Sequence, residues 1–288
     1  MPRPPRALLR PADLPDDLLE CVVNVSEGRD VRLVAGLAAS CGPVLADVHS
    51  DPEHNRSVFT LVGRSAPVED GARGLAAAAV AALDLRLHSG AHPRIGALDV
   101  VPFVALEGWP LGNGPLERAR AARGAFAAWA AAELGLPVFL YGPERSLPDV
   151  RRTAWRGLAP DAGPAGAHLS AGAVAVGCRR LLVAYNLWLD DGDLALARRI
   201  AASLRSPVVR ALGLQLGSSV QVSCNLLEPL EVGPAQVWDA VSAAAPVARA
   251  ELVGLVPWAV LQRAPAERWQ ELDLAPDRTL EHALRSRL

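Results

Sequence analysis

The chain contains no lysine, since all 29 positions counted as Lys plus Arg are arginine. Schiff-base catalysis by a lysine amine and the lysine of a Walker-type phosphate loop are therefore both excluded. Positive charge is not in excess either: 31 acidic residues leave a formal net charge of -2. Nucleic-acid binders carry a basic footprint, so no nucleic acid is expected as a partner and a small molecule is. The four cysteines, Cys21, Cys41, Cys178 and Cys224, form no CxxC pair and sit in apolar stretches. That predicts buried free thiols and a reducing, cytoplasmic setting. Long apolar runs are also missing. The most apolar helical segment, LAAAAVAAL at 75–83, falls far short of the roughly 20 residues a membrane span needs, so no membrane partner is expected. Residues 1–19 hold arginines and prolines without the apolar stretch of a signal peptide, and read as a flexible N-terminal arm.

What is present is core material in alternation. With 288 residues and 51% hydrophobic composition the chain can bury a large core. Short β-branched runs alternate with longer Ala/Leu/Arg segments opened by Asp, Ser or Pro, the patterns of strands and helices respectively. The first half reads as strand 21–25, helix 30–40, strands 43–50 and 56–63, helix 66–86 and strand 97–106. The second repeats the order: strand 180–189, helix 193–204, strands 207–215 and 219–227 joined at Gly217 and Ser218, helix 234–244 and strand 249–256. Each half is β-α-β-β-α-β, so the fold class is α+β with duplicated ferredoxin-like subdomains. The division expected is an N-terminal subdomain over 20–177 and a C-terminal one over 178–288 with a helical tail. Between the repeats lie a helix over 115–134, a strand at PVFLYG and a Pro/Gly/Arg-rich, loop-like connector over 143–172. Long loops in compact domains tend to carry function. The tail after Val256 reads as peripheral, and His282 within it as a solvated residue.

Polar chemistry gathers in two segments. DVHSDPEHNRSV packs Asp47, His49, Asp51, His54, Asn55 and Arg56 between two strands. Turn chemistry accounts for Asp51 and Pro52, but not for two histidines and an arginine beside them. The second segment, HSGAHPRIGALDV, sets His92 before Pro93, and proline steers the residue ahead of it away from helix. An imidazole on such a stiff corner suits proton transfer near neutrality. A metal pair of His88 and His92 competes with this reading, but Ser89-Gly90 should break the helix that the HxxxH geometry requires. His88 reads as a histidine capped by backbone. Arg56, Arg94 and Asn55 are candidate contacts to a carboxylate or an amide, the planar arginine fork matching a carboxylate.

ECVVNVSEGRD (20–30), LADVHSDPEHNRSVFTLVG (45–63), HSGAHPRIGALDVVPF (88–103), LPVFLYG (136–142), GCRRLLVAYNLWL (177–189) and ELVGLVP (251–257) occur in that order. Together they resemble the glutamate formiminotransferase family, whose domain is fused in animals to formiminotetrahydrofolate cyclodeaminase. The resemblance implies transfer of a formimino group from N-formimino-L-glutamate to N5 of tetrahydrofolate, in histidine degradation and one-carbon metabolism. It implies tetrahydrofolate as co-substrate, no metal, a homodimer, and sheets that face each other across a ligand tunnel. His92 would be the catalytic proton shuttle, taking a proton from N5 and delivering it to the departing glutamate nitrogen. Substrate binding would fall to Asp47, His49, Asn55, Arg56 and Arg94. The folate-binding stretch would be Gly163, Pro164, Ala165, Gly166, Ala167, His168, Leu169, Ser170, Ala171 and Gly172. His49 stands where the animal enzymes carry an aspartate, and Ala171 where they carry an aromatic residue. A formyl or acyl transferase acting on a glutamate derivative, and a folate- or amino-acid-binding module, are the alternative expectations.

Overall fold

A computed structural model describes residues 14–91, 93–190 and 192–287. The first half runs β1 (Leu18–Val25), α1 (Val31–Ser40), β2 (Leu45–Asp51), β3 (Arg56–Arg64), α2 (Ser65–Ala82) and β4 (Leu98–Glu107). A central stretch follows, with β5 (Gly112–Asn113), α3 (Leu116–Glu133), β6 (Val138–Tyr141), α4 (Leu147–Thr153) and β7 (Val174–Cys178). The second half runs β8 (Val183–Leu189), α5 (Leu194–Leu204), β9 (Val209–Leu216), β10 (Ser219–Leu226), α6 (Pro234–Ser242) and β11 (Val247–Val253), closed by α7 (Trp258–Arg263) and α8 (Leu280–Arg285). The result is an α+β molecule with two open sheets, ordered β2-β3-β1-β4-β7-β6 and β11-β8-β10-β9 among the described residues.

Side-chain alternation decides what each sheet face covers. On β1, Leu19, Cys21, Val23 and Val25 enter a core with Phe59, Leu61 and Phe103, against α1, α2 and α3. The other parity, Leu18, Glu20, Val22 and Asn24, lies on the opposite face. In the second sheet Tyr185, Leu187, Val220 and Val222 pack with Ala197 and Ile200 of α5 and with Val237 and Val241 of α6. All four cysteines are buried and free. The helix starts are chemically marked: Asp30 accepts from the Arg32 and Leu33 amides ahead of α1, and Asp193 from the Leu196 amide ahead of α5.

Three expectations change. The connector is not all loop, because Ser146 and Asp149 form a capping box that starts α4 inside it. A strand went unread at 174–178: β7 is buried along its whole length and pairs in parallel with both β4 and β6. A strand covered on both faces shows no polar alternation, and its VAVGC sequence is too small and Ala/Gly-rich to stand out. The tail is not peripheral either. Leu280 and Leu284 of α8 join Leu18, Val62, Val104, Leu181 and Leu255 in a cluster drawn from both halves. Glu281 accepts the amides of Leu111 and Trp258 at 2.8 and 2.7 Å. His282 is exposed. Of the expected N-terminal arm, residues 1–13 lie outside the described residues, and β1 already begins at Leu18.

Candidate active site

The β2–β3 turn is locked from within. The Asp51 carboxylate accepts the His54 amide at 2.8 Å, and Asn55 takes the left-handed conformation at φ 48°, which asparagine tolerates better than most residues. The buried Asn55 amide then ties three pieces of chain together. Its Oδ1 accepts from the Gly28 amide at 3.0 Å and its Nδ2 donates to the Ser89 carbonyl at 2.9 Å. Gly90 is required at this junction, since a Cβ there would collide with the His54 carbonyl and the Asn55 side chain.

Beneath the turn lies a buried charge cluster. Arg56 donates to Asp99 Oδ2 at 2.5 Å and, through Nε and Nη2, to Asn24 Oδ1 at 3.0 and 2.8 Å. Asp99 has no exposed side-chain surface. Arg151 of α4 donates to the same Asp99 Oδ2 at 2.7 Å and to the Pro93 carbonyl at 2.8 Å, while Asp99 Oδ1 accepts the Ile95 amide at 2.8 Å. Burial raises the Asp99 carboxyl, yet the Arg56 and Arg151 guanidiniums and these hydrogen bonds hold it at about 2. The corner at 93–95 is thus gripped at two main-chain points by ionised groups. His92, the expected shuttle at its head, lies outside the described residues.

His88 and Arg94 meet on the outer side of the corner. The His88 ring contacts the Arg94 guanidinium through Nδ1 and the Asn55 carbonyl through Nε2 at 3.2 Å. A neutral ring with the proton on Nε2 satisfies both partners, and burial followed by the nearby Arg94 charge lowers the tendency of His88 to protonate. Arg94 also donates to the Gly90 carbonyl at 2.8 Å. Leu85, His88, Ser89, Gly90, Ala91, Pro93 and Arg94 line an open cavity of about 520 Å³.

The connector returns to this corner. Ala97 donates to the Ala171 carbonyl, Ala173 to that of Ile95, and Leu85 to that of Ser170, at 2.8 to 2.9 Å. Gly96 permits the approach, because a Cβ there would strike the Ala173 carbonyl. Residues 168–172 close a small turn in which His168 Nδ1 accepts the Ala171 amide at 3.1 Å. Gly163, Pro164, Ala165, Gly166 and Ala167 are exposed, as is Leu169 at 78%.

Asp47 and His49 occupy the same face of β2, opposite Thr60 and Val58 of β3. Asp47 Oδ2 is buried without a hydrogen-bond partner among the described residues. His49 Nε2 lies 3.5 Å from Glu251 Oε1, on β11 of the other sheet. Burial lowers the tendency of His54 to protonate, against the opposing pull of Asp51. Among the described residues no group of three His, Cys, Asp or Glu side chains is placed to hold a metal, and no helix is long and apolar enough to cross a membrane.

Residues 18–179 match the model of the formiminotransferase domain, N-terminal subdomain. The chain is 36% identical over 236 residues to a glutamate formimidoyltransferase of Streptococcus pyogenes serotype M1, covering 73% of this chain and 77% of that protein. The chain belongs to the formiminotransferase family. A glutamate formimidoyltransferase of Thermoplasma acidophilum is 33% identical over 277 residues, covering 83% of this chain and 88% of that one. The formimidoyltransferase-cyclodeaminase of Sus scrofa is 37% identical over 286 residues, 86% of this chain. The chain spans about half, 52%, of that longer relative.

In this formiminotransferase-family chain, the structure brings together the two histidine-bearing segments and residues 168–173 of the connector. It leaves Gly163 to Ala167 at the surface, away from the main-chain ties at 95–97. Asn55 and Arg56 are engaged with main chain and with buried partners. Arg151 and Glu251 were missed by the sequence reading. Arg151 sat in a stretch taken for loop, and Glu251 in a strand read for its apolar residues, on the face opposite the buried Ala250 and Leu252.

Proposed function

We propose that this chain transfers a formimino group from N-formimino-L-glutamate to N5 of tetrahydrofolate. The observation that carries the reading is convergence: segments 49–56, 88–99 and 168–173 are tied to one another by hydrogen bonds, beside an open cavity lined by Leu85, His88 to Ala91, Pro93 and Arg94. About 520 Å³ is within the usual range for a small-molecule site. Tetrahydrofolate is a co-substrate in this reading, and the Ala171 turn stitched to Ile95 and Ala97 would receive it. The formimino donor carries N–H groups, which suits the Asp47 carboxylate oxygen left without a hydrogen-bond partner among the described residues.

Transfer needs one proton removed from N5 and one delivered to the departing glutamate nitrogen. His92 is assigned both tasks, because a neutral imidazole can accept and then donate within one adduct. The Asp99–Arg151–Arg56 cluster supports this assignment by holding the main chain after His92 still, and a fixed geometry is worth much of the barrier in a two-substrate reaction. Arg94 is the candidate for a substrate carboxylate, while Asn55 and Arg56 act through the backbone and Asp99.

The matching βαββαβ order and the 4-1-3-2 arrangement of strands in both halves support duplicated ferredoxin-like subdomains, divided near 177/178, with sheets that face across a ligand tunnel. A homodimer in the cytoplasm completes the proposal. The test is formation of 5-formiminotetrahydrofolate by purified protein, with and without His92→Ala. Turnover in the wild type and a loss of at least about 100-fold in the variant is expected. Unchanged turnover in the variant removes the shuttle, and binding without turnover in the wild type removes the transferase.

A further inference from the structure

Five side-chain donors surround one carboxylate in the second half. Glu251 keeps 14% of its side chain exposed. Its Oε2 accepts from Asn186 Nδ2 at 3.0 Å, Trp188 Nε1 at 3.1 Å and Gln221 Nε2 at 3.3 Å. Its Oε1 faces Arg249 Nη1 at 3.4 Å and His49 Nε2 at 3.5 Å. Four of these donors belong to its own sheet, where the register sets Glu251 opposite Asn186, and Gln221 and Arg249 opposite Trp188. The Arg249 guanidinium is further held over the Trp188 ring, 4.4 Å from its centroid. Burial alone would raise the carboxyl, but the hydrogen bonds from His49, Asn186 and Trp188 keep it at about 2.

A carboxylate has about four lone-pair sites, and the donors of its own sheet nearly fill them. His49 is the partner that depends on the contact, because Glu251 is its one side-chain polar neighbour among the described residues. With Nε2 directed at the Glu251 carboxylate, the neutral His49 ring carries its proton there and presents Nδ1 as an acceptor. On the same face of β2, two residues earlier, Asp47 Oδ2 is a second acceptor, buried and without a hydrogen-bond partner among the described residues. Two acceptors on one strand face fit a group that brings N–H donors, such as an amidine. They repel one that brings a carbonyl oxygen, such as a formamide.

We propose that Glu251 is a positioning residue that acts through His49, and that the His49–Asp47 pair it supports selects a formimino donor over the corresponding formyl donor. The inference rests on the transferase reading above and makes the second half, beyond the span of the N-terminal subdomain model at 18–179, part of the site. A site built to hydrogen-bond a substrate N–H discriminates strongly against an analogue without it. The loss of one fixed acceptor therefore shows in selectivity more than in turnover.

The experiment measures kcat/KM for N-formimino-L-glutamate and for N-formyl-L-glutamate in the wild type, Glu251→Gln, His49→Ala and the double variant. The wild type should prefer the formimino donor, and Glu251→Gln should cut the ratio by about tenfold or more. In the His49→Ala background the Glu251 change should leave the ratio where it is. A ratio unmoved by Glu251→Gln, or moved equally with and without His49, overturns the inference while the transferase reading stands. A wild type that uses neither donor overturns the transferase reading itself. If Glu251→Gln fails to fold, His49→Gln, which keeps the four own-sheet donors, must show the same fall in the ratio; a retained ratio overturns the proposal.

Discussion

The two βαββαβ halves contain equivalent hairpins with opposite characters. In the second half β9 and β10 are joined at Gly217 and Ser218, an exposed turn with Gly217 at φ 56° and no buried polar group. In the first half β2 and β3 are joined through Pro52 to Asn55, and the turn is pinned to Gly28 and to Ser89 by one buried amide. The same topology thus serves once as plain architecture and once as a platform. Two extra residues and a left-handed asparagine convert a hairpin tip into a dock for residues 88–91. Polar investment differs in the same way beneath the tips. The first half keeps Asp99 ionised with two arginines, whereas the second gathers donors around Glu251 and offers the result to His49 across the sheets.

Breaking the first platform should have the largest effect. Asp99→Ala leaves Arg56 buried without its carboxylate and frees the Ile95 amide and Arg151. Removing one partner of a buried ion pair costs about 3–5 kcal/mol, so a marked drop in thermal midpoint and near-complete loss of formimino transfer are expected. Transfer at the wild-type rate would mean that the cluster does not hold the corner. No comparable loss should follow substitution of Ser218.

A smaller effect separates the buried acids by sign. Asp99 and Glu251 are held at about 2, below ordinary carboxylates. They contribute stability above about pH 4, and it is lost as pH falls toward 2. Glu20 behaves oppositely: it is 3% exposed, and burial pushes its carboxyl up to about 7 against the pull of Arg179. Its contribution is fully present below about pH 4.5 and is lost as pH rises through 7. Glu20→Gln should therefore unfold at a higher temperature than the wild type at pH 8.5 and at nearly the same one at pH 5. Calorimetry at the two pH values checks this; an equal difference at both removes the titration account. The smallest change belongs to His282→Ala, an exposed position where stability should stay within about 0.5 kcal/mol and transfer should be untouched.

Much of this molecule was legible without coordinates. Helix starts at Asp30 and Asp193, the Gly217–Ser218 turn and the repeated strand order all follow from local chemistry: capping oxygens, glycine at positive φ, and apolar residues at the period of the element that buries them. The two histidine-bearing segments were legible for the same reason, since local turn preferences leave two histidines and an arginine unexplained. Local rules could not supply what depends on partners far along the chain. Strand β7 exists because β4 and β6 flank it, α8 is buried because both halves close over it, and Arg56 is a brace because Asp99 and Asn24 stand where they do. The sequence by itself determined the elements, their order and the residues rich enough in chemistry to form a site. Only the tertiary structure decided which of them are engaged with one another, because hydrogen bonds and ion pairs between distant segments depend on distances of about 3 Å, and residue types carry no record of those.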